Sequence, residues 1–130
     1  MILSAALEQE LSDLSMQERE QYLEMLDLTE TGLTKLIQTS FDLLNLHCFF
    51  SAGKKEVRAW TIERGATAFE AAKAIHSDIQ RGFIKAEVIS YDDFIEFNGE
   101  VGAKENGKLR TEGKEYIVKD GDIITFRFNV

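Results

Sequence analysis

Residues 67–82, with the sequence TAFEAAKAIHSDIQRG, limit the possible folds of this chain more than any other segment. Thr67 and Glu70 have the spacing of a capping box, which begins a helix. Gly82 suits a helix end. The apolar face at helical spacing consists of Phe69, Ala72, Ile75, His76 and Ile79. Strand-like segments occur on both sides in sequence, so we predict one amphipathic helix packed across a sheet.

The segments after residue 46 alternate between strand-like and turn-like composition. Strands are predicted at residues 47–50, 56–62, 85–90, 116–118 and 123–130. Residues 91–97 fit either a helical turn or a strand. Residues 101–113, rich in Gly and Lys, are predicted to form a long surface loop. This order of elements is that of a β-grasp (ubiquitin-like) fold, an α+β class in which a mixed sheet curls round one helix.

Residues 1–46 show a different pattern, that of consecutive amphipathic helices. Ser15 with Glu18 predicts a capping box for the second helix, and Thr31 with Gly32 opens a third. We therefore predict two parts: an N-terminal helical segment at 1–46 and a β-grasp domain at 47–130.

Charge is distributed unevenly over these two parts. The chain has a net charge of −8, and residues 1–46 hold nine acidic and two basic side chains. The first part should repel phosphate, whereas the second is neutral enough to hold a local basic patch. A pI near 4.8 argues against strong nonspecific binding of nucleic acid.

A cytoplasmic location is predicted from two features of the sequence. Cys48 is the single cysteine, which excludes an internal disulfide and favours a reducing compartment. No apolar run approaches the roughly 20 residues that cross a bilayer, so no membrane partner is expected.

Five basic side chains are predicted to converge at one end of the sheet and to contact RNA or the ribosome. They are Lys54, Lys55, Arg58, Arg81 and Lys85. Trp60 and Phe50 are close in sequence and could stack on bases. We expect Lys54 and Lys55 to dominate such a contact. The alternative is an ordinary charged surface with interior aromatic residues.

Other motifs are weaker, and we predict no catalytic residue and no metal site. Residues 102–108 match the phosphate-loop pattern G-x-x-x-x-G-K, but Leu109 stands where Ser or Thr should hold Mg²⁺. His76, Ser77 and Asp78 are adjacent on a helix and point about 100° apart, so they cannot form a triad. His76 is predicted as a partly buried helix residue. Cys48 is predicted as a small core residue of the first strand.

A family resemblance covers essentially the full chain. The segments that carry it are residues 33–46, 50–61, 75–78, 82–89, 91–94, 102–105, 112–122 and 126–130. The second part resembles the TGS domain, named for threonyl-tRNA synthetase, GTPases and the (p)ppGpp synthetase/hydrolase. The whole chain resembles the C-terminal part of the YchF/Obg-like ATPase family, comprising the end of the G domain and the TGS domain.

The resemblance implies a longer parent protein with an N-terminal G domain that binds ATP or GTP with Mg²⁺, hydrolyses it and associates with the ribosome. Ser4 and Ala5 match only the last G-domain loop, beside the nucleotide base, and would bind nucleotide only with an intact G domain. The phosphate loop is absent, so neither enzyme activity nor a cofactor is expected of this fragment. Its expected role is a non-catalytic RNA- or ribosome-binding module. The alternative is a regulatory domain that docks on its own G domain.

Overall fold

Side-chain caps begin six of the seven helices in the computed structural model, which describes residues 1–130. These caps are Ser, Thr and His side chains that accept a backbone N–H at a helix start, where the helix itself supplies no acceptor. The chain divides into two units, Met1–Leu44 and Asn45–Val130. No helix in the structure combines the length and hydropathy that a membrane crossing requires.

The first unit consists of α1 (Ala5–Ser12), α2 (Met16–Met25) and α3 (Gly32–Leu43). The predicted capping box of Ser15 and Glu18 is confirmed, since each side chain accepts the other residue's backbone N–H. Glu8 of α1 accepts the N–H of Gly32 at 2.7 Å and so ties the start of α3 to α1. Leu11 and Leu23 supply the buried apolar side chains of this unit.

The apolar stripe of α3 remains exposed. No residue of α3 is buried, and Leu33 and Ile37 are 57% and 50% exposed. Leu44, which caps the helix, is 64% exposed. An amphipathic helix is normally stabilised by burying its apolar face. The apolar face of α3 is not buried in this way.

The second unit contains a five-stranded mixed sheet. Its strands are β1 (Leu46–Ala52), β2 (Val57–Glu63), β3 (Phe83–Ile89), β4 (Arg110–Glu112) and β5 (Ile123–Phe128), in the order β2-β1-β5-β3-β4. β1 and β5 are parallel, and the other neighbours are antiparallel. Phe49, Val88 and Ile124 form part of the core that packs against the central helix. The predicted α+β fold class with an N-terminal helical segment is confirmed.

The central helix is interrupted, which differs from the single helix predicted for residues 67–82. α4 (Ala68–Ile75) begins with the predicted capping box of Thr67 and Glu70, and α5 (Ser77–Arg81) follows. His76 between them is extended, with φ −165° and ψ 144°. Its Nδ1 accepts the N–H of Asp78 at 3.1 Å, so the imidazole caps α5 instead of continuing α4. His76 is therefore exposed, not partly buried as predicted.

Residues 91–113 are more regular than expected. The ambiguous segment is a helix, α6 (Tyr91–Glu96), and the predicted surface loop contains α7 (Glu100–Glu105) and β4. The Gly and Lys content of this segment predicted a loop, but Gly102 is required by packing. A Cβ at this position would overlap the carbonyl oxygen of Phe97. Glycine at this position serves close helix packing, not a flexible loop. The predicted strand at 116–118 is reduced to one isolated pairing, Thr67 with Ile117.

Candidate functional site

The turn between β1 and β2 carries Lys54 and Lys55, the two residues predicted to dominate RNA contact. Gly53 closes this turn by donating its N–H to the carbonyl of Glu56 at 2.9 Å. Both lysines are exposed, and neither forms an ion pair or a side-chain hydrogen bond. By contrast, the nearby Arg58 guanidinium lies 3.9 Å from a carboxylate oxygen of Glu56. The turn therefore presents two ammonium groups without a counter-charge.

Aromatic residues near the turn, predicted to stack on bases, already have partners within the domain. The Arg58 guanidinium lies 4.5 Å from the centre of the Trp60 ring, and Trp60 Nε1 donates to Ser51 Oγ at 2.9 Å. Trp60 also packs against the core. Phe50 points to the opposite side of the sheet, because successive side chains of a strand alternate; its ring lies against that of Tyr91.

The remaining predicted cations are already paired with carboxylates. Arg81 contacts Asp78 at 2.7 Å, one turn back in α5. Lys85 contacts Glu87 at 3.6 Å on β3. Ala86 between them is fully buried in the core, so Lys85 lies on the sheet face away from α4. The five cations are thus divided between different surfaces. Their contact with nucleic acid stays a prediction.

A cleft separates the β1–β2 turn from the α4–α5 helical region. We call it the hairpin cleft, and its volume is about 400 Å³. It is lined by Ser51, Ala52, Gly53, Lys54, Lys55, Glu56, Ile75, Ile79, Ile124, Thr125 and Phe126. The turn and the C-terminal part of the helical region therefore lie close together.

Sequence reasoning missed the walls of this cleft. The sequence predicted Ile75 and Ile79 as positions on the apolar face of the helix, Ala52 as part of a turn and Phe126 as an ordinary strand residue. The sequence contained one signal for these walls, which is that the apolar face of the helical region continues past the break at His76. It could not show that this part of the face borders an open space.

The two residues predicted from the G-domain loop lie in the first unit. Ser4 and Ala5 are exposed at the start of α1, where Ser4 Oγ accepts the N–H of Leu7 at 3.3 Å. Nucleotide binding by these residues stays a prediction.

The G-x-x-x-x-G-K segment at 102–108 does not fit a phosphate cradle. A phosphate loop connects a strand to the start of a helix. Here Gly102 is already inside α7, which follows helix α6, and Lys108 donates its N–H to the carbonyl of Ala103 at 2.8 Å. No step of nucleotide hydrolysis can be assigned to this segment.

Histidine and cysteine side chains do not assemble a metal site, and the structure contains no group of three or more metal-ligating residues. His47 is buried, and its Nε2 has no hydrogen-bond partner. Cys48 is half-buried, with Sγ 3.7 Å from Thr61 Oγ1, and lies on the face away from the core. The prediction of Cys48 as a core residue was wrong, because strand alternation turns its neighbours inward instead.

Comparison with known proteins assigns the chain to a family. Residues 46–129 match the family YchF-GTPase_C, whose description is "Protein of unknown function (DUF933)". The chain belongs to this YchF family. The match begins at the first residue of β1 and extends over nearly the whole second unit.

Relatives of the YchF family match the helical unit as well. The chain is 56% identical over 126 residues to the ribosome-binding ATPase YchF of Haemophilus influenzae, covering 97% of this chain and 35% of that protein. It is 50% identical over 130 residues to the ribosome-binding ATPase YchF of Bacillus subtilis, covering 100% of this chain and 36% of that protein.

A solved structure shows the same fold. The Schizosaccharomyces pombe YchF GTPase superposes with a TM-score of 0.82 at 34% identity, covering 96% of this chain and 33% of that chain. The chain therefore spans about a third of the length of its relatives and matches their C-terminal part. The resemblance predicted from the sequence is confirmed.

Proposed function

We propose that this chain is a non-catalytic module that binds the ribosome by contacting RNA phosphates, with Lys54 and Lys55 making the main contacts. The observation that carries the proposal is the pair of exposed, unpaired ammonium groups on the β1–β2 turn. Its relatives in H. influenzae and B. subtilis are named ribosome-binding ATPases. Ribosome contact implies a cytoplasmic location.

The charge balance explains why these two lysines should matter. Residues 47–130 hold fourteen acidic and thirteen basic side chains, so the second part has no strong overall attraction for RNA. Affinity must come from cations that are not neutralised locally. Arg58, Arg81 and Lys85 are each paired with a carboxylate, and they should contribute less.

Ribosome co-sedimentation over a salt series tests the proposal. Lys54→Ala/Lys55→Ala should weaken binding and lower the salt slope by about two, because each lost phosphate contact removes about one unit. Lys104→Ala/Lys108→Ala is the matched control, since it removes two exposed lysines from another surface with the same change in charge. Equal binding by both double variants would contradict the proposal.

Nucleotide binding and hydrolysis are assigned to the part of the relatives that lies outside this chain. The unsuitable geometry of residues 102–108 supports this assignment. Calorimetric titration with ATP and Mg²⁺ should give no binding heat. Micromolar binding that is lost in Lys108→Ala would show that the chain has a nucleotide site of its own.

The second candidate is a regulatory domain that docks on its own G domain. The exposed apolar stripe of α3 favours it. If α3 is the docking surface, Ile37→Glu should prevent association with a separately produced G domain, while Gln38→Glu should not, since Gln38 lies outside the stripe. Equal association by both variants would remove α3 from consideration.

A further inference from the structure

The hairpin cleft exists because two strands of the sheet separate. β1 and β5 pair only at Phe50 and Ile123. Beyond this point β1 continues to pair with β2, ending at Ala52 with Val57, and β5 continues to pair with β3, ending at Phe128. β2 thus holds β1 and β3 holds β5, each from the outer side, and a gap opens between the facing edges of β1 and β5.

Backbone polar groups point into this gap without a strand partner. Phe50 donates its N–H to the carbonyl of Asp122 at 2.8 Å, so these two residues direct their hydrogen-bonding groups across the interface between β1 and β5. Hydrogen-bonding direction alternates along a strand. Ala52 on β1 therefore faces the same way as Phe50, and Ile124 and Phe126 on β5 face the same way as Asp122. Ala52 and Phe126 lie beyond the last pairing and line the cleft, so their N–H and C=O groups have no partner on the facing strand.

Apolar side chains form the remaining walls of the cleft. Ile75 and Ile79 are half-buried on the helical side, and Phe126 is 8% exposed on the sheet side. The volume of about 400 Å³ lies in the range of small-ligand sites, which combine apolar walls with a few polar groups. A volume of this size can hold a group as large as one nucleotide.

We infer that the hairpin cleft binds one unstacked nucleotide of a single-stranded RNA. Its base would lie against Ile75 and Ile79, with its polar edge on the backbone groups of Ala52 and Phe126. Lys54 and Lys55 at the rim would bind the adjoining phosphates. Proteins recognise single-stranded RNA by packing side chains against its exposed base faces and by hydrogen-bonding its base edges. The inference rests on the proposed function and adds the form of RNA that the site selects.

An acidic extended peptide is the alternative occupant, since it could also contact the two lysines. A peptide that adds to a sheet needs a continuous strand edge. The open edges here are short and converge at the pairing of Phe50 with Ile123. That wedge shape favours a single planar group over a strand.

Backbone amide NMR of the wild-type chain gives a test that needs no variant. Titration with a short single-stranded oligouridylate should shift the amide signals of Ala52, Phe126 and the turn lysines, and a blunt-ended RNA duplex, which has no unpaired bases, should shift them far less. Shifts at Lys54 and Lys55 without shifts at Ala52 and Phe126 would overturn the cleft inference and leave the proposed function standing. No RNA binding at all would contradict the proposed function itself.

Substitutions provide the second measurement. Ile79→Trp, which fills the cleft, should weaken oligouridylate binding by at least about fivefold, the effect of losing one base contact, with an unchanged salt slope. Ile95→Trp on α6 is the matched control, because Ile95 is exposed outside the cleft. Equal binding by the two folded variants would overturn the inference. A glutamate-rich peptide that shifts Ala52 and Phe126 when oligouridylate does not would do the same.

Discussion

The hydroxyl group of Tyr116 donates a hydrogen bond to Oδ2 of Asp122 over 2.7 Å, and Asp122 is only 2% exposed. The N–H of Lys119 donates to the same oxygen at 3.0 Å, and Arg110 donates to the Tyr116 hydroxyl at 3.2 Å. Burial, together with the hydrogen bond to Asp122, raises the pKa of Tyr116. This network fixes the turn from which β5 begins.

Tyr116→Phe should lower the free energy of unfolding by about 1–3 kcal/mol, because a buried carboxylate loses one of its donors. Urea denaturation measures the change. Tyr22→Phe is the control, since Tyr22 donates to Glu10 in an exposed setting, where losing the hydrogen bond should change the free energy of unfolding much less. Equal effects of the two substitutions would show that the network around Asp122 does not stabilise the domain.

Glu87 should make stability depend on pH. Arg127 donates two hydrogen bonds to Glu87 Oε2, at 3.1 and 2.9 Å, and thereby lowers the pKa of Glu87. Because the pKa of Glu87 is lower in the folded state, Glu87 stabilises the protein at pH values above the ordinary pKa of glutamate. This contribution is lost as the pH falls through the lowered value.

Arg127→Gln should therefore destabilise the chain at neutral pH, because Glu87 loses the partner that lowers its pKa. The difference from the wild type should shrink as the pH falls through the lowered pKa of Glu87. Urea denaturation across a pH series measures it. A difference that stays constant down to acid pH would mean that Arg127 contributes by packing and not by charge.

Gly102 should tolerate no side chain. Because a Cβ there would overlap the carbonyl oxygen of Phe97, Gly102→Ala should force the α6–α7 connection to move and cost about 2 kcal/mol or more. Gly113→Ala is the matched control, since nothing lies within 4 Å of its Cβ position. Thermal unfolding of the two variants should differ clearly, and similar midpoints would refute the packing role of Gly102.

His76 should matter as a cap. His76→Ala removes the acceptor for the Asp78 N–H and should destabilise α5 by about 1 kcal/mol, whereas His76→Asn, which supplies another side-chain acceptor, should retain most of the stability. Hydrogen exchange of residues 77–81 measures the effect locally. Faster exchange in both variants would indicate that the imidazole acts through something other than capping.

Local signals in the sequence predicted much of the fold. The capping boxes of Ser15 with Glu18 and Thr67 with Glu70 place two helix starts, because such caps depend on residues three apart. The break at His76 was missed, since the segment has helical periodicity on both sides of it. α7 was missed because Gly102 resembles a loop residue until its contact with Phe97 is known.

The candidate site was predicted only in part. Lys54 and Lys55 were identified because they are adjacent in a turn. Arg58 and Lys85 were grouped with them, although strand alternation places the two on opposite faces of the sheet and each pairs with a carboxylate. Sequence proximity could show where charges are numerous but not which of them are neutralised.

The sequence by itself determined where most helices and strands begin, the α+β class and the YchF family, because capping, periodicity and motif spacing are local properties. Only the tertiary structure decided that β1 and β5 separate beyond Phe50 and Ile123 and leave a cleft beside two unpaired lysines. The physical reason is that strand pairing joins residues far apart in the chain. The sequence does not record where such pairing stops.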